Sequence, residues 1–294
     1  MTPIFLMNAL SIILALALSP SLRGEPLQKI EKCVLVPAAW ADGDSFGIRT
    51  PAGKELTVRL YGADCMEWHV TDATDERRLR AQRRYFGITD AAPNPRAAID
   101  LAKEYGKLAA GEVVRILDKP FTIHTSFADA RGDGRHPRIY AFVTGADGAD
   151  LATHLVKQGL ARAFGVYRET PDARTKDDYR AQLADLELQA AKRGLGVWSR
   201  TDWDKLPQQR KDQRKDDEEI SLAVGKQPLP ADFKLDPNTA ARDELMKLPG
   251  IGEEFANRII EGRPYLKVAD LSYVPGIGPK RLKAIQTYLK FPNP

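Results

Sequence analysis

A charged segment at residues 204–219 divides the chain. It reads "DKLPQQRKDQRKDDEE" and contains almost no apolar residue, so it cannot bury a hydrophobic core of its own. The chain has 294 residues, more than the about 100–150 of a typical domain. We therefore predict two domains, at residues 28–202 and 231–294, joined by a charged linker at residues 203–230.

The N-terminal stretch carries an apolar run from Ile4 to Leu18, followed by small residues and a turn. This run is shorter than the about 20 residues of a membrane-spanning helix and suits the core of a signal peptide. No Lys or Arg precedes it, which departs from the usual signal pattern. We expect a signal peptide at residues 1–24, export to the periplasm or the medium, and no stable membrane span. An uncleaved anchor is the alternative.

Composition excludes several kinds of site. The formal net charge is only +4, so any argument for nucleic-acid binding must come from local arrangement. Two cysteines, Cys33 and Cys65, exclude a disulfide scaffold and a Cys-rich zinc site. They could pair in an oxidising compartment or remain separate thiols. The four histidines show no zinc-ligand spacing, which argues against a zinc nuclease.

Acidic residues gather at one end of a predicted β-hairpin. Residues 45–62 alternate as two strands around the turn "PAGK", and this pairing brings Asp44 and Asp64 together. Alternation directs Arg59 to the same end, and Glu67 follows three residues after Asp64. Carboxylate and carbonyl oxygens are the ligands of a hard metal such as calcium. The alternative is an ordinary turn with a surface ion pair between Arg59 and Asp64.

Two segments, "DGDS" at 42–45 and "RLYGADCME" at 59–67, resemble the active-site motifs of the staphylococcal nuclease (thermonuclease) family. These motifs have the forms D-G-D-[TS] and R-L-x-x-x-D-x-x-E. The resemblance continues through "RIYAFV", "LVKQGLARAFGVY" and "AAKRGLGVWS" and covers about residues 28–200. It implies an α+β fold built on a small OB-like β-barrel with helices, and hydrolysis of phosphodiester bonds.

The resemblance also implies roles for individual residues. Asp44 and Asp64 would bind Ca²⁺ through their carboxylates and Cys65 through its backbone carbonyl. Glu67 would be the general base, and Arg59 would bind phosphate. The other implied site residues are a second catalytic arginine, for which Arg138 and Arg135 are both candidates, and a tyrosine in the substrate cleft, Tyr167.

The chain departs from the family pattern in two places. Cys65 and Met66 replace the usual Thr-Pro, but a backbone carbonyl at position 65 remains available for calcium. About 20 additional residues follow Glu67 and include "ERRLRAQRRYFGI", with five arginines. This insertion either extends the substrate groove or forms a solvated helix face.

A near-repeat follows the linker, with "LPGIGEEFANRII" at 248–260 and "VPGIGPKRLKAI" at 274–285. In each copy a proline ends one helix, two glycines allow a tight turn, and the N–H groups that begin the next helix can bind a phosphate. The segment resembles the paired helix-hairpin-helix domain of competence-type DNA receptors, a small all-α fold. The predicted DNA-binding residues are Gly250, Ile251, Gly252, Gly276, Ile277, Gly278, Lys280, Arg281 and Lys283.

Together these features predict an exported, Ca²⁺-dependent nuclease, monomeric, with a C-terminal module that holds DNA. Backbone contacts carry no sequence information, so binding should be non-specific, and the substrate is DNA with RNA as an alternative. The competing hypothesis is a non-catalytic extracytoplasmic DNA receptor or scaffold. A protein-binding role for the repeat is a further alternative.

Overall fold

The structure of the chain is a computed structural model. It describes residues 26–130, 138–226, 229–230 and 232–291, without the side chains of 221–226. The predicted signal peptide and Arg135 lie outside the described residues. Among the helices that are described, none is long and apolar enough to cross a membrane.

Five of the seven strands in the described residues close into a barrel. The strands are β1 Gln28–Val36, β2 Ser45–Arg49, β3 Glu55–Leu60, β4 Ala63–Cys65, β5 Phe121–Thr125, β6 Ile139–Thr144 and β7 Ala161–Ala163. The barrel order is β1, β2, β3, β6, β5, and β5 pairs back onto β1, while β4 and β7 form a separate pair. The predicted α+β fold with a small barrel is confirmed.

Of the α-helices in the described ranges, five lie within residues 73–226, and three further helices follow in the C-terminal part of the chain. They are α1 Ala73–Phe86, α2 Pro95–Ile116, α3 Leu151–Lys157, α4 Lys176–Lys192, α5 Leu206–Lys226, α6 Arg242–Leu245, α7 Glu253–Glu261 and α8 Pro279–Ile285. Four of them are preceded by a residue whose side chain accepts a hydrogen bond from a backbone N–H of the first turn. Such a cap satisfies N–H groups that have no partner within the helix. The capping residues are Asp72, Asn94, Asp150 and Thr175.

The β2–β3 hairpin fixes the register of the predicted site. Its turn closes with a 2.9 Å hydrogen bond from the N–H of Thr50 to the carbonyl of Lys54, and Gly53 supplies the positive φ of 78°. Ser45 then lies opposite Arg59. Phe46, Ile48, Val58 and Leu60 are buried in the barrel. The hairpin therefore carries Asp44, just before β2, to the end of β3.

The predicted charged linker is mostly helical. Residues 206–226 form α5, whose first half packs on α1. Leu206 is buried, the Nη1 atom of Arg84 lies 2.5 Å from Oδ2 of Asp216, and Nε of Arg210 donates to the carbonyl of Tyr85 at 3.0 Å. Charged side chains in this segment thus contact a neighbouring helix.

The C-terminal residues form a compact pair of helical hairpins. Ile251 and Ile277, at the centres of the two "GIG" turns, are both buried at 2 % exposure. Gly250 and Gly276 hold positive φ values of 72° and 87°, a conformation that side chains with a Cβ rarely adopt. The two glycine turns are therefore equivalent in backbone conformation as well as in sequence.

Candidate active site and nucleic-acid interface

Arg59 joins the two predicted aspartates. Its Nη1 atom lies 3.3 Å from Oδ1 of Asp44, and Nη2 donates to Oδ1 of Asp64 at 3.0 Å. All three side chains are more than 90 % buried. The hairpin register produces this arrangement, because the N–H of Leu60 also bonds the carbonyl of Asp44 at 2.9 Å. The structure thus brings together three of the residues that the sequence singled out.

Arg162 is a second cation on Asp64. The two residues lie opposite each other in the β4–β7 pair, and Nε of Arg162 donates to Oδ2 of Asp64 at 2.8 Å. Burial alone would raise the pKa of Asp64, but Arg162 and Arg59 lower it to about 2. Asp64 is therefore a carboxylate at neutral pH.

Glu67 lies in the same buried cluster. Its side chain is 11 % exposed, and Oε1 is 3.6 Å from Nη1 of Arg78. Burial raises the pKa of Glu67, Arg78 opposes this effect, and Asp44 and Asp64 add to it, so that the value is about 7. A carboxylate that titrates near neutrality suits a general base, because it can both accept and release a proton.

Gln82 of α1 holds the loop between Asp64 and Glu67. Its Nε2 atom donates to Oδ2 of Asp64 at 3.0 Å and to the carbonyl of Cys65 at 2.7 Å. Its Oε1 atom accepts from the N–H of Glu67 at 2.8 Å. The residue is 1 % exposed. The insertion that follows Glu67 therefore forms one wall of the cluster.

Asp42 shapes the turn before β2. Its Oδ1 atom accepts from the N–H groups of Asp44 at 3.0 Å and Ser45 at 2.6 Å. Burial, and then the charges of Asp44 and Glu67, raise the pKa of Asp42 well above its usual range. The first acid of "DGDS" thus orients the second, and the cluster carries an excess of acidic groups.

The cluster has the ligand chemistry of a hard cation. One Gln82 nitrogen contacts both the Asp64 carboxylate and the Cys65 carbonyl, so a single atom can reach both oxygens, and a cation bound to both would take the place of that nitrogen. Oδ2 of Asp44 accepts from the N–H of Cys65 at 2.8 Å, so a third oxygen contacts the backbone of the same residue. Burial raises the pKa of the Cys65 thiol, so the carbonyl is the group that suits calcium.

Side chains alone do not make a metal centre in the part of the chain that the structure describes. No group of three or more His, Cys, Asp or Glu residues there is arranged to hold an ion. Cys33 and Cys65 are both buried free thiols, which decides between the two alternatives that the sequence left open. The calcium ligands remain a prediction that depends on a backbone oxygen.

Arg138 and Tyr167 are the other predicted residues of this domain that the structure describes. Arg138 is half-buried just before β6. Burial raises the pKa of Tyr140, and the charges of Arg59 and Arg138 oppose that rise. Tyr167 is 5 % exposed, and its ring lies under the guanidinium of Arg180 at 4.4 Å. Their roles in binding substrate stay predictions.

Three site residues were missed by the sequence analysis: Arg78, Gln82 and Arg162. Arg78 and Gln82 lie on α1, four residues apart and thus on one face of the helix. The arginine-rich insertion showed only that a helix was present, and its outer residues Arg77 and Arg80 are indeed exposed. Arg162 could have been found only from the pairing of β4 with β7.

The paired hairpins offer open backbone amides. Among the hydrogen bonds of the described residues, the N–H groups of Gly250, Gly252, Gly276 and Gly278 donate to no acceptor. A Cβ built on Gly252 or Gly278 would meet no atom within 4 Å, so a phosphate has room to approach. α7 begins with Glu253 and Glu254, whereas Lys280 and Arg281 follow Pro279 at the start of α8. Of the two glycine turns, the one before α8 is therefore more favourable for binding an anion, because basic rather than acidic side chains follow it.

Arg281 connects the two turns of the repeat. Its guanidinium donates to the carbonyl of Gly250 at 3.0 Å and to the carbonyl of Gly276. It also lies 4.0 Å from the ring centre of Phe255. Of the predicted DNA-binding residues, Arg281 is therefore also a structural link between the hairpins.

The C-terminal hairpins contact the barrel domain through α7. Oε1 of Glu261 accepts from the N–H of Tyr167 at 3.2 Å, and Oε2 accepts from Nη2 of Arg180 at 2.8 Å. Glu253, at the other end of α7, pairs with Arg242 at 3.0 Å. Burial and the charge of Arg59 would lower the pKa of Arg242, but Glu253, the largest of the opposing charges, helps to raise it overall. The C-terminal hairpins thus contact the barrel domain at Tyr167 and Arg180.

Two comparisons with known families agree with these two units. Residues 57–200 match the family described as staphylococcal nuclease homologue, and residues 232–290 match the helix-hairpin-helix motif. The chain carries these two domains in that order, which is the composition of a nucleic-acid-processing protein. The first match begins after Asp44, which contacts the matched region through Arg59, Leu60 and Cys65.

A curated relative shares a shorter region. The Xenopus laevis protein "Endonuclease/exonuclease/phosphatase family domain-containing protein 1" is 40 % identical over 57 residues, which are 18 % of this chain and 10 % of the relative. The chain thus aligns with about a tenth of the length of that protein.

Proposed function

We propose that the chain is an exported, calcium-dependent nuclease that cuts phosphodiester bonds of DNA without sequence specificity. The observation that carries this proposal is the convergence of Asp44, Arg59, Asp64 and Glu67 in one buried cluster. It combines acids for a hard cation, a guanidinium for phosphate and a carboxylate that titrates near neutrality. These groups meet the main needs of phosphodiester hydrolysis.

Each residue has a task that follows from its position. Glu67 takes a proton from the attacking water, since its raised pKa matches it to neutral pH. Arg59, fixed by Asp44 and Asp64, presents its guanidinium to the phosphate, together with Arg138 or Arg135. Asp44, Asp64 and the Cys65 carbonyl would hold calcium. When bound, calcium offsets the negative charge that grows on the phosphate oxygens.

The remaining parts of the proposal rest on other features. The apolar run from Ile4 to Leu18 supports export, which would give access to calcium outside the cell. The open glycine amides and Lys280 support binding to phosphates in a non-specific manner. We also propose that the protein acts as a monomer, with DNA as its substrate and RNA as a second substrate to be tested.

The test is incubation of the purified protein with plasmid DNA and, separately, with RNA. With millimolar calcium we expect rapid cleavage, because bound calcium would offset the negative charge on the phosphate oxygens. With excess chelator we expect cleavage to stop. Cleavage at full rate in chelator would remove calcium from the proposal. Binding of plasmid without cleavage under both conditions would favour the non-catalytic receptor.

A further inference from the structure

Helix α1 is fixed against the loop that carries the acidic cluster. Gln82 makes three hydrogen bonds to residues 64–67. Asp72 caps the start of the helix, and Phe86 near its end packs against Trp198 with ring centres 4.8 Å apart. α1 is therefore held at both ends and at its centre, and the buried face of the helix has a defined position relative to Glu67.

Arg78 lies one turn before Gln82 on this face. Its side chain is 13 % exposed, and Nη1 is 3.6 Å from Oε1 of Glu67 and 4.0 Å from Oδ1 of Asp75. Both distances exceed a normal hydrogen bond. Nη2 is buried and has no hydrogen-bond partner among the described residues. The guanidinium is thus held near acids by charge, while the N–H groups of Nη2 have no acceptor among the described residues.

The neighbouring arginines of the cluster differ from Arg78 in this respect. Nη2 of Arg59 and Nε of Arg162 each donate to Asp64 at 3.0 Å or less. A buried charged donor without an acceptor destabilises the folded protein. The unsatisfied donor of Arg78 lies beside Glu67, where the proposed reaction brings a phosphate.

An anion with several oxygens would satisfy the unused donors. A guanidinium presents parallel N–H groups that match the oxygens of a phosphate. Because Arg78 lies beside Glu67, the phosphate that it would bind is the one that is cut. The general base must lie within one water molecule of the phosphorus that is attacked. Exposed arginines of the same helix, such as Arg77 and Arg80, have no such relation to the cluster.

We propose that Arg78, on the helix inserted after the acidic loop, is a phosphate-binding residue of the active site. This inference rests on the proposed nuclease function and adds a residue outside both active-site motifs. The competing explanation is that Arg78 serves only to position the Glu67 carboxylate. The two explanations differ in what happens once the charge of Glu67 is removed.

The experiment measures affinity for a short single-stranded oligonucleotide in a Glu67→Gln background, in which cleavage is slow. Arg78→Met should weaken binding about 10- to 100-fold, the loss expected for hydrogen bonds to a charged group. Arg78→Lys should recover part of the affinity, since it keeps the charge and loses the fork. Arg77→Met, one position away and exposed, should bind as the background does.

Unchanged affinity in both Arg78 variants would overturn the proposal and leave Arg78 as a positioning residue for Glu67. Thermal unfolding checks that the variants fold, and Arg78→Lys keeps the test valid if Arg78→Met does not. The nuclease proposal is judged separately by cleavage with the unaltered chain. If that chain cuts no nucleic acid but binds the oligonucleotide through Arg78, the nuclease function fails while the phosphate contact stands.

Discussion

At the scale of single residues, Glu67 carries the most specific chemical prediction. Replacement by Gln keeps the shape and the Gln82 hydrogen bond to the backbone but removes the proton acceptor. Cleavage of DNA should slow about 10²–10⁴-fold, the usual effect of losing a general base, while DNA binding stays largely intact. The measurement is the initial cleavage rate with calcium, alongside binding in chelator.

The matched control for Glu67 is Glu76→Gln, an exposed acid on α1. It removes the same charge at the surface of the helix beside the cluster and should cut at the rate of the unaltered chain. If Glu67→Gln also cut at that rate, the assignment of the base would be wrong.

The sequence predicted those site residues that follow one another along the chain. Asp44, Arg59, Asp64 and Glu67 lie on one hairpin and its exit, so turn chemistry and strand alternation suffice to bring them together. Gln82 and Arg162 reach Asp64 from 18 and 98 positions away. No local pattern specifies such contacts, because they depend on how α1 and β7 pack.

At the scale of elements, α2 supports the acidic loop through a glycine. A Cβ on Gly106 would lie 2.4 Å from the carbonyl oxygen of Met66 and 2.9 Å from Cβ of Trp68. The helix backbone therefore approaches the loop between Cys65 and Glu67 more closely than any larger residue allows. The close approach, rather than backbone conformation, is what requires glycine here.

Gly106→Ala should therefore destabilise the protein by about 1–3 kcal/mol, as expected for overpacking, and slow cleavage by shifting Glu67. The matched control is Gly111→Ala on the same helix, where a Cβ meets nothing within 4 Å. That change should stabilise the protein by about 0.5–1 kcal/mol through helix propensity. Urea unfolding measures both, and a stabilising Gly106→Ala would refute the close approach.

The elements were predicted best where periodicity was strong. The alternation at 45–62 corresponds to the observed strands β2 and β3. α5 was not predicted, since its sequence lacks apolar residues to mark a helix face. Contacts with other elements, such as Arg84 with Asp216 and the burial of Leu206, hold α5 against α1.

At the scale of the whole molecule, we propose that the barrel domain cuts the nucleic acid and the paired hairpins hold it. The described hydrogen bonds and ion pairs made by the side chains of Asp44, Arg59, Asp64 and Glu67 all go to residues 44–82 or to Arg162. The paired hairpins contribute none of these, although Glu261 contacts Tyr167 and Arg180 nearby. The chemistry should therefore survive without the hairpins, whereas the hold on long DNA should not.

The most direct test of this division compares the full chain with one that ends at residue 226, which keeps the α1–α5 contact. Both are assayed on a short oligonucleotide and on long duplex DNA at low enzyme concentration, over a range of salt. We expect both chains to cleave the oligonucleotide at nearly equal rates. The shortened chain should cleave the duplex more slowly, and its cleavage of the duplex should depend less on salt. Equal losses on both substrates, in a shortened chain shown to be folded by circular dichroism, would contradict this division, because the hairpins would then be part of the catalytic site. No loss on either substrate would contradict the tethering role and favour a protein partner for the repeat.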